Sequence, residues 1–202
     1  MKSYSQIIVI VSFILQKRKM NFTFISGNEC KIKTAQNILG KDTFNITRID
    51  LQEIQSLDVE EVAREKAKTA YDILRQPVLV DDTALYIDNM NGFPGAFVKF
   101  YYTTIGLDGM IKHHEGSKCF GKTVLVYYDG KEMNVYEGIV HGKIASEIHY
   151  GSDNHGWDPI FIPDGYSVPL TKLDDDVKAT LHNRFIAFEK LKNDKKIKVD
   201  ET

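Results

Sequence analysis

The sequence predicts an α/β fold built on a mixed rather than an all-parallel sheet. Three observations carry this. A short apolar, β-rich run at residues 22–25 feeds a Ser-Gly-Asn turn and then a helical pattern, which is the opening of a strand–turn–helix unit. Two longer β-rich runs, 122–128 and 132–139, flank Asp129-Gly130, a strong hairpin signal that requires antiparallel strands. Strands and helices are interspersed without strictly alternating, which argues against a purely parallel sheet.

Taken in order, residues 22–25 form the first strand. Ser26-Gly27-Asn28 turns the chain and caps a helix in which Ile32, Ala35, Ile38 and Leu39 recur at helical spacing until Gly40. Residues 44–51 read as a second strand running into Gln52-Glu53. A helix starts near Asp58, with Val62, Ala63, Ala67, Ala70 and Leu74 on its inner face, and Pro77 stops it. Residues 78–80 form an apolar third strand that ends at two adjacent acids, Asp81 and Asp82. Gly92-Phe93-Pro94-Gly95 is a turn, residues 108–115 a short helix, and the hairpin follows. Residues 142–148 read as a further strand. Pro163-Asp164-Gly165 turns the chain after Trp157-Asp158-Pro159, residues 177–191 form a last amphipathic helix, and the polar tail frays.

The 202 residues suffice for one domain or one domain with two lobes, and 43% apolar with 27% charged residues is ordinary for a globular chain. A net charge of −2 with no basic stripe argues against long nucleic acid as a partner. A small phosphate ligand needs only a few local cations. Cys30 and Cys119 share no metal-ligand spacing and read as idle thiols in a reducing, cytoplasmic setting. Residues 7–15 (IIVIVSFIL) are far shorter than the ~20 residues a membrane span needs. Residues 1–19 are read as an N-terminal extension, with a weak targeting segment as the alternative. The domain is expected over residues 20–192, with a polar tail at 193–202.

Four constellations carry chemistry. Ser26-Gly27-Asn28 with Lys31 places a polar turn and a cation at a helix N-terminus, where the dipole favours an anion and backbone N–H groups are open. Ordinary helix punctuation is the plainer reading of the same residues. Glu53, Asp81 and Asp82 offer oxygen ligands, and Mg²⁺ needs only one or two carboxylates plus phosphate oxygens and water. Unrelated surface acids are the alternative. Lys66, Lys99, Lys178 and Arg184 are fixed cations that a polyphosphate would require. In His155-Gly156-Trp157-Asp158 an aromatic beside a glycine can pack on a base, although a lone Trp is more often a core anchor.

Together and in this order, these stretches resemble the inosine triphosphate pyrophosphatase, or Ham1-like, family. The matching pieces are Ser26-Gly27-Asn28-x-x-Lys31, Ile49-Asp50-Leu51-Gln52-Glu53, residues 77–83, Gly92-Phe93-Pro94-Gly95 with Lys99, Gly156-Trp157-Asp158-Pro159, Pro163-Asp164-Gly165-Tyr166 and residues 178–185. They span nearly the whole chain. The resemblance implies an elongated mixed β-sheet flanked by helices, with two lobes and a central cleft, assembled as a homodimer. It implies Mg²⁺-dependent cleavage (Mn²⁺ as a substitute) of ITP, dITP or XTP to the monophosphate and pyrophosphate, which clears them from the nucleotide pool. By the same resemblance Ser26, Gly27, Asn28 and Lys31 hold phosphate, and Glu53 and Asp82 hold the metal. Lys66 and Lys99 contact substrate, Thr83 lies beside Asp82, and Gly156, Trp157, Asp158, Lys178 and Arg184 form the base pocket.

Two positions depart from the family pattern. His155 stands where an aromatic such as Phe usually precedes Gly-Trp-Asp, and His182-Asn183-Arg184 replaces Ser-His-Arg, so Asn183 stands in the histidine's place. His155 can still stack and Asn183 can still hydrogen-bond. Asp82 is expected to be the central acid, as metal ligand, general base or both, with Lys31 and Lys66 beside it and Asp81 as the second choice. Donors from the Trp157-Asp158 backbone or Arg184 are expected to read O6 of hypoxanthine and to reject adenine's amino group. Two alternatives stand beside this reading: a Maf-like pyrophosphatase of the same fold acting on pyrimidine or modified nucleotides, and a non-catalytic nucleotide-binding dimer.

Overall fold

Short, well-capped elements at the N-terminal end of the chain set up the sheet. β1 (Thr23–Ile25) leads into α1 (Glu29–Leu39), whose N-cap Asn28 accepts from the Cys30 and Lys31 N–H groups. β2 (Asn45–Thr47) pairs with β1 in parallel. α2 (Val59–Leu74) is capped by Asp58 and buries Val59, Val62, Ala63, Ala67 and Ala70, so small residues let it lie close on the sheet. β3 (Val78–Ile87) is followed by a short 3₁₀ turn (Asp88–Met90), β4 (Pro94–Gly95) and α3 (Val98–His114). The hairpin β5 (Lys118–Tyr128) and β6 (Met133–Ile144) precedes β7 (Phe161–Pro163), α4 (Asp175–Leu181) and α5 (Asn183–Asn193). This computed structural model describes residues 20–151, 154–194 and 197. The expected N-terminal extension, Asp153 and most of the tail lie outside the described residues.

The sheet is seven-stranded, in the order β2-β1-β3-β5-β6-β7, with β4 pairing to β3. β2, β1 and β3 are parallel and the remaining pairs antiparallel, so the sheet is mixed as expected. α1 and α5 cover one face over Phe24, Leu79, Leu125 and Phe188. α2 covers the other over Val78, Val80, Val124 and Val126. A third cluster, built on Leu85, Ile87, Met110, Ile144 and Phe161, forms a second lobe at the far ends of the long strands. Among the described residues no helix is long and apolar enough to cross a membrane.

Several expected boundaries are corrected. β3 does not stop at Val80: β5 pairs with it residue by residue as far as Ile87, so Asp81 and Asp82 lie inside a strand. The second strand keeps three of its eight expected residues, because β1 ends at Ile25 and offers no partner beyond Thr47. Glu53 therefore lies in a connecting segment, not at a strand end. Residues 142–144 finish β6 rather than start a new strand. The helix expected at 108–115 is the second half of α3, which bends at Gly106 (φ 72, ψ 169). The last helix is two, broken at His182 (φ −81, ψ 127), whose Nδ1 accepts from the Arg184 N–H at 3.2 Å and so caps α5. The tail is docked where it is described: Tyr136 donates to Asp194 at 2.7 Å, and Ile197 is buried in the first core cluster.

Candidate active site

The candidate site grows from a gap beside β3. β1 pairs with it only up to Val80, and β4 only from Leu85, so residues 81–84 have a sheet neighbour on one side alone. A strand alternates faces, so the adjacent acids separate. Asp81 points to the α1–α5 face with Leu79, and Asp82 to the α2 face with Val80.

Asp81 is fully buried. It takes the Lys31 ammonium at 2.7 Å and Arg184 Nε at 2.8 Å. Lys31 also donates to the Asp81 backbone carbonyl at 2.7 Å. Arg184 Nη2 donates to Thr83 Oγ1 at 3.1 Å, and Thr83 shares a 2.9 Å hydrogen bond with Thr123 across the strand pair. Burial alone would push this carboxyl up, but the Arg184 and Lys31 charges outweigh it and hold it at about 2. It is a charged anchor for two cations.

On the other face Lys66 of α2 spans two carboxylates, Glu53 at 2.8 Å and Asp82 at 3.0 Å. Burial opposes the Lys66 charge, yet Asp82 and Glu53 together push its pKa up. Asp82 Oδ1 accepts from the Thr83 N–H at 2.9 Å, which leaves Oδ2 toward Lys66. Two acids from distant segments thus converge on one point occupied by a positive charge. Glu53 is half-exposed and Asp82 mostly covered. Two carboxylates with room for water and phosphate oxygens suit Mg²⁺, which seldom takes an all-protein cage. Among the described residues no group of three or more His, Cys, Asp or Glu side chains forms a fuller one.

The turn at Ser26-Gly27-Asn28 lies where β1 ends, beside Asp81. Asn28 uses its own side chain on the Cys30 and Lys31 N–H groups (2.9 and 3.4 Å), so two donors expected to be open are internally occupied. Ser26 Oγ accepts from the Asn28 N–H. A Cβ on Gly27 would sit 2.9 Å from Arg48 Nε, so Arg48 lies against this turn.

Two of the residues expected to meet the base, Asn183 and Trp157, come together at Gly121 of β5. A Cβ there would lie 3.2 Å from Asn183 Nδ2 and 3.9 Å from Trp157 Nε1. Gly121 is in register with Leu85, so this point lies on the Asp81 face, farther along the strand pair. Gly138 makes room for α5: a Cβ would fall 1.9 Å from the Asn183 carbonyl oxygen. Asn183 is buried, and its Nδ2 has no partner among the described residues. Two donors expected to read the base are engaged instead. Arg184 spends Nε and Nη2 on Asp81 and Thr83, and the Asp158 N–H donates to the His155 carbonyl at 2.9 Å.

His155 Nδ1 meets Cys30 Sγ at 3.1 Å, joining the base loop to the first turn of α1. Gly156 sits at φ 52, and Trp157 packs against the second lobe's core. His182 Nε2 approaches buried Asp158 at 3.6 Å. The remaining two cations stand apart. Lys99 is exposed on the first turn of α3 and makes no ion pair among the described residues, while Lys178 pairs with Asp175 on its own helix. Nothing in the sequence pattern pointed to Arg48, Thr123 or Cys30, because each works through tertiary proximity, and the motif that holds His182 gave no sign of its approach to Asp158.

Comparison with known proteins matches residues 22–194 to the Ham1 family model. A dITP/XTP pyrophosphatase of Saccharolobus solfataricus is 36% identical over 181 residues, covering 86% of this chain and 93% of that protein. An inosine triphosphate pyrophosphatase of Schizosaccharomyces pombe is 36% identical over 180 residues, covering 84% and 92%. Among solved structures, a HAM1 protein from Coxiella burnetii superposes with a TM-score of 0.74 at 23% identity, over 85% of this chain and 96% of that one, a likeness of fold.

Proposed function

This chain belongs to the Ham1 family, and from that premise we propose that it hydrolyses non-standard purine nucleoside triphosphates (ITP, dITP, XTP) to the monophosphate and pyrophosphate. The observation that carries this reading is the convergence of Glu53 and Asp82 on Lys66, with Lys31 reaching the Asp81 carbonyl across the same strand.

Glu53 and Asp82 are the residues that would hold Mg²⁺, or Mn²⁺ in its place. Bound there, the cation would neutralise charge on the leaving pyrophosphate and lower the pKa of a bound water. The chain's own groups do the rest. Asp82 has one oxygen tied to the Thr83 N–H, so the other is aimed and can accept a water's proton. Lys66 and Lys31 flank the strand and bind phosphate oxygens; Lys31 is fixed by the free carbonyl left where β1 ends. Arg48, which lies against Gly27, adds a further cation beside the Ser26-Gly27-Asn28 turn, and Lys99, exposed and apart, is left as a contact the resemblance alone implies. Ser26, Gly27 and Asn28 line the turn the phosphates approach.

Base choice follows from Asn183. Its amide is a buried donor with nothing to donate to among the described residues, and both it and the Trp157 indole N–H lie near Gly121. Both fit an acceptor such as O6 and oppose an amino group, and leaving such a donor unpaired costs about 1–3 kcal/mol. Asn183→Leu, close in volume, is expected to lower kcat/KM for ITP by about 5- to 100-fold and ATP far less, without lowering Tm. An unchanged ITP-to-ATP ratio would refute the role. Arg184→Ala is a poorer probe, because it also strips buried Asp81 of a partner.

The wider reading is a homodimer that cleanses the nucleotide pool in the cytoplasm, a setting that two unpaired cysteines suit. The deciding assay is pyrophosphate release from ITP, with and without Mg²⁺, beside ATP and dTTP. Mg²⁺-dependent release from ITP far above the other two is the expected result. Preference for dTTP would favour a Maf-like activity, and no release a binding role.

A further inference from the structure

The Gly92-Phe93-Pro94-Gly95 turn lies outside the cluster of Glu53, Lys66 and Asp82, while Glu53 itself sits on a segment with little apolar anchorage downstream of it. The two facts meet at one carbonyl. Residues 48–58 connect β2 to α2. At the upstream end Ile49 and Leu51 pack against the sheet. Beyond Glu53 the side chains of Ile54 and Leu57 are 41% and 45% exposed, so burial holds this end weakly. Ser56 donates to Glu61 of α2 at 2.6 Å, and the anchor to the sheet is the Leu57 carbonyl, which accepts from the Ala96 N–H and from the Tyr86 hydroxyl, both at 3.1 Å. The same hydroxyl accepts from the Val59 N–H at 3.2 Å, so Tyr86 ties the segment's last turn to the start of α2. A Cβ on Gly95 would lie 2.4 Å from the Leu57 oxygen, and Gly95 has φ 57, so the close approach requires glycine twice over. Tyr86 is itself fixed, stacked on Phe120 at 4.7 Å, and it shares a strand face with Asp82.

We propose that Tyr86 and the Gly95 turn clamp the Leu57 carbonyl so that Glu53 is held in reach of Asp82, which makes Tyr86 a positioning residue for the divalent-cation site. This rests on the reading that Glu53 and Asp82 hold the cation. Three residues lie between Glu53 and Leu57, so four Cα steps form a tether of at most about 14 Å when extended. Releasing it lets Glu53 drift, whereas Lys66 and Asp82 stay in place on a helix and a strand with buried faces.

Tyr86→Phe keeps the ring and its stack and deletes only the hydroxyl. It is to be compared with wild type, Glu53→Gln and the double variant. The readouts are Mn²⁺ binding to the protein by electron paramagnetic resonance, amide exchange at Val59, and the Mg²⁺ dependence of pyrophosphate release from ITP. Tyr86→Phe is expected to weaken Mn²⁺ binding and to raise the Mg²⁺ requirement about three- to tenfold. Turnover at saturating Mg²⁺ should stay within about twofold, and Val59 exchange should quicken. In the Glu53→Gln background the hydroxyl should make no further difference to Mn²⁺ affinity, because it acts through Glu53. Faster exchange with unchanged Mn²⁺ affinity would overturn the proposal and leave a purely structural tie. So would an additive effect in the double variant, or lost turnover with an unchanged Mg²⁺ requirement. Should Tyr86→Phe not fold, Gly95→Ala perturbs the same carbonyl from the other side and is expected to weaken Mn²⁺ binding likewise. Normal Mn²⁺ affinity in Glu53→Gln itself would instead remove the metal-site reading on which the clamp depends.

Discussion

Asp82→Asn is expected to cut turnover of ITP by about 10²- to 10⁴-fold, the range over which a positioned acid–base group acts. The substitution preserves shape. An asparagine Oδ1 can still accept from the Thr83 N–H, as Asp82 does at 2.9 Å. It removes the negative charge that Lys66 meets at 3.0 Å and the oxygen that would face the cation and water. Lys66 keeps Glu53 at 2.8 Å, so its charge stays paired and the loss of stability should be well below that expected for a carboxylate lost from a buried cluster. Steady-state kinetics with ITP and a thermal melt give the two numbers. Undiminished turnover would refute the assignment of Asp82.

Asp81→Asn is expected to show the reverse balance, a large loss of stability. Its carboxylate is wholly buried between Lys31 at 2.7 Å and Arg184 at 2.8 Å. Removing one member of a buried ion cluster leaves the others uncompensated and typically costs about 3–5 kcal/mol. For a chain of this size that lowers Tm by on the order of 10 °C. The acid limb of the stability curve supplies a second check. The folded-state value of about 2 lies below the ordinary 3.8. The stabilisation is therefore full above about pH 4 and is lost as pH falls through about 2. That difference is worth on the order of 2 kcal/mol. Wild type and variant should therefore differ by a constant amount above about pH 4 and draw together as pH falls from there through about 2. A variant that melts within about 2 °C of wild type at pH 7 would show that the triad contributes little. Activity also falls in this variant, because Lys31 and Arg184 lose their common anchor, but KM should rise along with any fall in kcat.

These contrasting outcomes separate two neighbours that look interchangeable in the sequence. Local signals were sufficient for the elements whose cause is local. The Asn28 and Asp58 caps, the alanine face of α2 and the Asp129-Gly130 hairpin all form where the pattern places them. The mixed sheet follows from them. Motif order was sufficient for the family, and it brought Lys31, Glu53, Lys66, Asp82, Thr83 and Arg184 onto one short list before any geometry was known.

Partners distant in sequence decided the rest. Where β3 ends depends on how long β5 keeps pairing with it, and how far β2 runs depends on how soon β1 stops. No property of residues 44–51 or 78–87 taken alone carries that information. Asp81 and Asp82 differ only by the alternation of a strand, and α1 and α5 on one face with α2 on the other bury one between Lys31 and Arg184 and leave the other beside Lys66. Arg184, read as a base-recognising cation, spends Nε and Nη2 on Asp81 and Thr83, while the buried Nδ2 of Asn183 has no partner among the described residues. Which chemistry is present is legible residue by residue, because side-chain type and local propensity travel with the chain. Which charges meet is settled in three dimensions, because hydrogen bonds and ion pairs act over about 3 Å, and that proximity is set by strand register and helix packing.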